Sequence, residues 1–214
     1  MDHQRAIVLA NGDPVAGGLQ LPDDALVIAA DGGLALAQAL GLSVDVVVGD
    51  MDSVTPDDLD AAERSGARIE RHPRDKQATD LELALDAAIA AGATEITIVG
   101  GTGGRLDHLL ANALLLTAHR YAAITLRWTN GVHTVWPCDT ARPVHLHGHR
   151  GDLVSLIPVG GAAHGMTTTG FRWELDGDDL IHGSTRGISN EMTATEATVA
   201  VSRGRLLVVH HGSS

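Results

Sequence analysis

The chain has 214 residues, 44% of them hydrophobic, and a formal charge of −12 at pH 7. That length and apolar content suffice for one large or two modest globular domains and exclude a disordered chain. The negative field has no Lys/Arg cluster to interrupt it, which excludes nucleic acid as a partner but leaves small anions within reach of a few local cations or a metal ion. Cys138 is the single cysteine. Neither an internal disulfide nor a cysteine metal cluster can form, and a cytoplasmic location is expected. The apolar run at residues 6–10 is too short for a signal-peptide core, and no run approaches the roughly 20 apolar residues of a membrane helix, so no membrane partner is expected. Of the fifteen basic residues only Lys76 is a lysine. The arginine excess reads as a coding bias, and the surviving lysine as a place that needs a compact ammonium charge.

Residues 5–10 and 25–30 are apolar runs of strand length, and residues 44–48 repeat the type with nearly continuous valine. Such runs suit strands buried on both faces. Helical patterns cover residues 34–40, 56–65, 80–91 and 106–119, with further strands at 67–71, 95–99 and 123–128. Thr55 before Pro56 with Asp58 beyond, and Thr79 with Glu82 three residues on, mark helix starts; Gly41, Gly66 and Gly92 mark ends. Alternation of strand and helix predicts a parallel α/β domain. After about Pro137 helical periodicity vanishes, and runs at 152–157, 197–202 and 206–210 alternate with glycine-rich turns. This predicts an all-β second domain, with a border within residues 137–143 that gives domains 1–138 and 139–214.

Ligands of an open parallel sheet gather outside the carboxyl ends of its strands. Three predicted strands end there in Asp31-Gly32-Gly33, in Gly49-Asp50-Met51-Asp52-Ser53, and in the run Gly100-Gly101-Thr102-Gly103-Gly104-Arg105-Leu106-Asp107-His108. On extended chain Asp50 and Asp52 project to one side and can share a hard cation, with Asp80 at a helix start as a third ligand and Asp31 on the same edge. Aspartates also serve as plain loop and cap residues. The glycine run before a helix suits an anion, and Arg105 adds a bidentate phosphate partner. It is neither a Walker loop nor a dinucleotide fingerprint. His145, His147 and His149 share a strand face and, like His210 and His211, read as exposed polar residues; His108 differs in lying within the glycine-arginine motif.

Taken together, Ala30 to Gly33, Gly49 to Ser53, Asp75-Lys76-Gln77-Ala78-Thr79-Asp80, Gly100 to His108 with Asn112, and Gly187-Ile188-Ser189-Asn190-Glu191 resemble the thiamine pyrophosphokinases in kind and order over nearly the whole chain. The resemblance implies an α/β catalytic domain, a C-terminal β-sandwich that binds thiamine and dimerises, and a homodimer with active sites at the subunit interface. It implies Mg2+-dependent transfer of the diphosphate group of ATP to the hydroxyl of thiamine, giving thiamine diphosphate and AMP. Asp50, Asp52 and Asp80 then look like magnesium ligands, and Lys76, Arg105 and Asp107 like contacts to the phosphates or their metal shell. Asp31, Gly32, Ser53, Thr79, Gly101, Thr102, Gly103, Gly104, His108 and Asn112 look like the nucleotide site, and Trp173, Ser189 and Asn190 like the thiamine pocket. Gln77 departs from the aspartate that many members carry after the motif lysine, so a metal role there lacks its charge. Trp173 has two readings, a stacking surface for the thiazolium cation or a filler of the sandwich core. Two other functions stand beside this one: a pyrophosphokinase for another alcohol such as a hydroxymethylpterin, and a non-catalytic thiamine or nucleotide sensor.

Overall fold

A computed structural model describes residues 4–16 and 19–212, which form two compact units: residues 4–16, 19–115 and 122–130, and residues 116–121 with 131–212. The first unit runs β1 (Arg5–Ala10), β2 (Leu26–Ala30), α1 (Gly33–Leu40), β3 (Val46–Gly49), α2 (Pro56–Arg64), β4 (Arg68–Arg71), α3 (Asp80–Ala90), β5 (Glu95–Gly100), α4 (Leu106–Leu115) and β6 (Thr125–Thr129). Its strands are all parallel, in the order β6-β5-β1-β2-β3-β4. As the unbroken apolar runs require, β2 and β3 are buried along their whole length. The chain steps outward from β1 through β2 to β4 and then returns to lay β5 on the other flank of β1, so strand order reverses between β1 and β5. A crevice opens at such a reversal.

The helix starts form as their cap residues dictate. Thr55 accepts the Asp58 N–H and Thr79 accepts the Glu82 N–H, each at 3.2 Å, and Gly41 closes α1 in the left-handed conformation. α4 stops at Leu115, short of the expected residue 119, and a 3-10 turn follows at His119–Tyr121. Leu116 and Tyr121, both 1% exposed, are five residues apart, a spacing that a continuing helix would turn towards different sides.

The second unit is an antiparallel sandwich. One sheet has the order β12 (Asn190–Glu191), β9 (Leu153–Pro158), β14 (Arg205–His211), β7 (His133–Asp139); the other has β11 (Asp176–Leu180), β10 (Ala163–Thr169), β13 (Glu196–Ala200), β8 (Val144–His147). Leu146, Val154, Met166, Val199, Leu206 and Val208 fill the space between them. Pro137, at the start of the border range that the sequence predicts, lies inside β7 opposite Leu207. In β8, buried Val144 and Leu146 alternate with exposed His145 and His147, as the period of two requires. His211 is exposed, but His210 is not: its Nε2 sits 2.9 Å from Oδ2 of Asp152, a carboxylate whose side chain is 1% exposed. A period-two pattern at the end of β14 turns His210 inward, and burial there requires the partner that Asp152 supplies.

Candidate active site

Sheet topology brings the charged loops of the first unit to one cavity of about 750 Å3 at the carboxyl edge. Asp31 follows β2 in a left-handed conformation (φ 44°), Met51 likewise turns the chain after β3 (φ 64°), and their neighbours Asp50, Asp52 and Ser53 line the same space. Carboxylate oxygens of Asp31, Asp50 and Asp52 lie within 4.8 Å of one another. Asp31 is 8% exposed, and its Oδ1 is buried without a hydrogen-bond partner among the described residues. An orphaned buried carboxylate oxygen beside two more carboxylates fits a hard divalent cation, which would satisfy it through oxygen coordination.

Lys76 stands against this cluster with its side chain 13% exposed, its Nζ 3.3 Å from Oδ2 of Asp50 and 2.9 Å from Oδ1 of Asp80. Burial works against its charge, but the hydrogen bond and charge of Asp80, then those of Asp50, outweigh it and hold the ammonium above its ordinary pKa. The Asp50 carboxyl is held below the usual range by the Asp52 N–H bond, which together with Lys76 outweighs burial. Asp80, placed at the first turn of α3 by its Thr79 cap, lines the same cavity and shares the Lys76 ammonium with Asp50, beside the Asp31, Asp50 and Asp52 oxygens that lie within 4.8 Å of one another.

The glycine run after β5 forms the facing wall. Gly100, Gly101, Gly103 and Gly104 all have positive φ, between 62° and 82°, a backbone that L side chains rarely adopt. Two side chains fix it from behind: the Asn112 amide donates to the Gly101 carbonyl at 3.2 Å, and the Trp128 indole donates to the Gly100 carbonyl at 2.6 Å. Arg105 and His108 line the cavity, whereas Thr102 and Asp107 do not. Arg105 is exposed and forks onto Asp107, with Nε at 3.1 Å and Nη2 at 2.6 Å; that pairing holds the Asp107 carboxyl below its ordinary range. Gln77 is exposed and lies off the cavity wall.

Sequence reading missed the turn after β1. Asn11, Gly12 and Asp13 line the cavity, and so does Arg74, whose Nη2 is 3.4 Å from Oδ2 of Asp52. Asn11-Gly12 after an apolar strand is a turn signal, and the carboxyl-end rule applied to β2, β3 and β5 applies to β1 as well.

In the second unit, Trp173 is 56% exposed, which removes the core-filler reading. The Asn190 side chain holds it through two reciprocal bonds, Nδ2 to the Trp173 carbonyl at 2.7 Å and the Trp173 N–H to Oδ1 at 3.2 Å. The Arg172 guanidinium lies 4.9 Å from the indole centroid, so this ring already presents its face to a cation. Ser189, at φ 58°, donates its N–H to Ser155 Oγ at 3.0 Å.

A parallel α/β unit with acidic and basic groups on its carboxyl edge, joined to an antiparallel sandwich, defines a two-domain α/β-plus-β enzyme architecture. Comparison with known proteins gives it a family. The family model "Thiamin pyrophosphokinase, catalytic domain" matches residues 20–126, and "Thiamin pyrophosphokinase, vitamin B1 binding domain" matches residues 144–206. The chain is 30% identical to thiamine pyrophosphokinase of Bacillus subtilis over 161 residues, 75% of each chain. It is also 30% identical to thiamine pyrophosphokinase 1 of Oryza sativa, over 68% of this chain and 58% of that one. The crystal structure of the Bacillus subtilis thiamine pyrophosphokinase superposes with a TM-score of 0.86 at 26% identity, covering 98% of this chain and all of that one. The chain belongs to the thiamine pyrophosphokinase family, enzymes of the diphosphotransferase type.

Proposed function

We propose that this enzyme transfers the diphosphate group of ATP, with Mg2+, to the hydroxyl of thiamine, releasing thiamine diphosphate and AMP. The observation that carries the reading is the single cavity shared by the Asp31, Asp50 and Asp52 carboxylates and the Lys76 and Arg105 cations, within a chain that also matches a vitamin B1 binding domain. Asp50, Asp52 and Asp80 would hold the metal, with the Asp31 carboxylate beside them in the same cavity and Lys76 between Asp50 and Asp80. Bound there, the cation supplies Lewis-acid neutralisation of phosphate charge.

The acceptor oxygen attacks the β-phosphorus, the bond from that phosphorus to the α,β-bridging oxygen breaks, and AMP departs with that oxygen while the hydroxyl proton is lost. Lys76 meets the charge of the transferred group with a compact ammonium that its carboxylate neighbours keep protonated. Arg105 is suited to a bidentate phosphate contact once it lets go of Asp107. Gly32, Ser53, Thr79, Gly101, Thr102, Gly103, Gly104, His108 and Asn112 complete the nucleotide site, and Asp107 contacts the phosphates or their metal shell; Gly32, Thr102 and Asp107 are not among the residues that line the cavity itself. Trp173, Ser189 and Asn190 form the thiamine pocket, the exposed indole stacking on the thiazolium.

The enzyme works as a cytoplasmic homodimer. Leu106, Leu110 and Leu114, spaced by four on α4 and each more than half exposed, form an apolar stripe that favours self-association. Among the described residues no helix is long and apolar enough to cross a membrane.

Purified protein incubated with ATP and Mg2+ is to be given thiamine or hydroxymethylpterin, with products separated by chromatography. Thiamine-dependent formation of thiamine diphosphate and AMP in equal amounts is the expected result. AMP formed only with the pterin would reassign the acceptor, and thiamine binding without any AMP would make the chain a sensor.

A further inference from the structure

We propose that the turn Asn11-Gly12-Asp13 binds the nucleoside half of the triphosphate, the Asp13 carboxylate accepting hydrogen bonds from the ribose hydroxyls. This rests on the reading of ATP as the donor. Strand order reverses between β1 and β5, so the crevice where a ligand sits is flanked by the two loops that follow those strands, Asn11 to Asp13 and the glycine run.

These loops are interlocked. The Asp13 N–H donates to the Thr102 carbonyl at 2.7 Å, and a Cβ on Gly12 would stand 2.3 Å from that same oxygen. A Cβ on Gly103 would fall 2.0 Å from the Asp13 carboxyl carbon, so Gly103 lets the carboxylate lie flat against the run. Asp13 is thereby pinned at the crevice wall, yet it is exposed, lines the cavity, and its carboxylate has no hydrogen-bond partner among the described residues.

Of the parts of a nucleoside triphosphate, the phosphates are repelled by an ionised carboxylate, which only accepts hydrogen bonds, so Asp13 suits the uncharged part that carries donors. Lys76 and Arg105, which line the same cavity, attract the phosphates. In a nucleoside triphosphate, the part that offers two adjacent O–H donors at one end of a polyanion is the ribose.

The test is calorimetric binding of ATP, 2′-deoxy-ATP, 3′-deoxy-ATP and inosine triphosphate with Mg2+, without acceptor, to wild type, Asp13→Ala and Asp13→Asn. Wild type should lose about tenfold in affinity on removal of a ribose hydroxyl, the scale of a hydrogen bond to a charged group. Asp13→Ala should bind ATP about tenfold more weakly and no longer distinguish the deoxy nucleotides. Asp13→Asn, which keeps the size of the side chain and the backbone bond to Thr102, should fall between and secures the comparison if the alanine variant fails to fold. Full discrimination in both variants would overturn the proposal, as would a change confined to inosine triphosphate. Wild type that binds ATP with ribose discrimination but transfers nothing to thiamine would sink the proposed function while leaving this assignment in place.

Discussion

Asp50 sits at the centre of the site's electrostatics because its two oxygens do different work. Oδ1 accepts the Asp52 N–H at 3.2 Å, which fixes the bend after β3, while Oδ2 faces Lys76. Asp52 is freer, at 46% side-chain exposure, with Arg74 and Ser53 as its neighbours. Its carboxylate can therefore turn to a cation without dismantling the fold, so the effect of removing its charge should appear in turnover. Asp52→Asn is predicted to lower turnover by roughly a hundredfold or more, the scale of losing electrostatic stabilisation of developing charge. A steady-state assay at saturating Mg2+ checks this, and a rate within about threefold of wild type would overturn the metal role proposed for Asp52.

In the second unit Asp139 ties the turn between β7 and β8, accepting the N–H groups of Ala141 at 3.0 Å and Arg142 at 3.1 Å and pairing with the Arg142 guanidinium. Burial opposes its charge, but Arg142 and the backbone donors outweigh burial and hold its pKa below the ordinary 3.8. A carboxyl with a lower pKa folded than unfolded adds stability above the ordinary value and loses it as pH falls through the folded value. Asp139→Asn should cost about 1–3 kcal/mol at pH 7. Urea titrations should show the gap from wild type closing below about pH 3.8. A gap that widened on acidification would contradict the assignment.

At the scale of elements, the site depends on how closely α1 and α3 approach the sheet. A Cβ on Gly33 would stand 2.0 Å from the Leu9 carbonyl, so α1 can lie on β1 at its observed distance only with glycine there. Gly33→Ala should destabilise the protein by about 3 kcal/mol through forced displacement of the helix, measured as a lower urea midpoint. An unchanged midpoint would mean that α1 shifts freely.

The contrast between α3 and the β1 turn shows what was legible in the sequence. Thr79 with Glu82 announced the start of α3 because a cap is a local interaction, and the cap structure follows it. The valine run of β3 announced burial for the same reason of local pattern. The position of Lys76 between Asp50 and Asp80 is a matter of side-chain geometry that spacing does not encode. Trp128, which fixes the Gly100 carbonyl from 28 residues away, is likewise a tertiary contact written in no motif. The inward turn of His210 depended on a partner, Asp152, that is 58 residues distant.

At the scale of the whole molecule, a chain of net charge −12 for which ATP is the proposed donor has to gather a polyanion, and the Lys76 and Arg105 cations line one cavity of the first unit. Lys76 is the single lysine of the sequence, and the structure sets it between two carboxylates instead of on the surface. The second unit offers a different chemistry, an exposed indole held by Asn190 and suited to a cation. Anion-handling in one unit and cation-handling in the other match a reaction that joins a polyphosphate to a thiazolium alcohol.

The proposed reaction is defined by which group moves. ATP carrying radioactive phosphorus at its β position should be turned over with thiamine and Mg2+, and the label followed by chromatography of the products before and after removal of the terminal phosphate. Attack at the β-phosphorus predicts that all transferred label becomes the phosphorus ester-linked to thiamine, with unlabelled AMP formed in equal amount. Label retained in ADP beside thiamine monophosphate would show single phosphoryl transfer and contradict the mechanism assigned to this site.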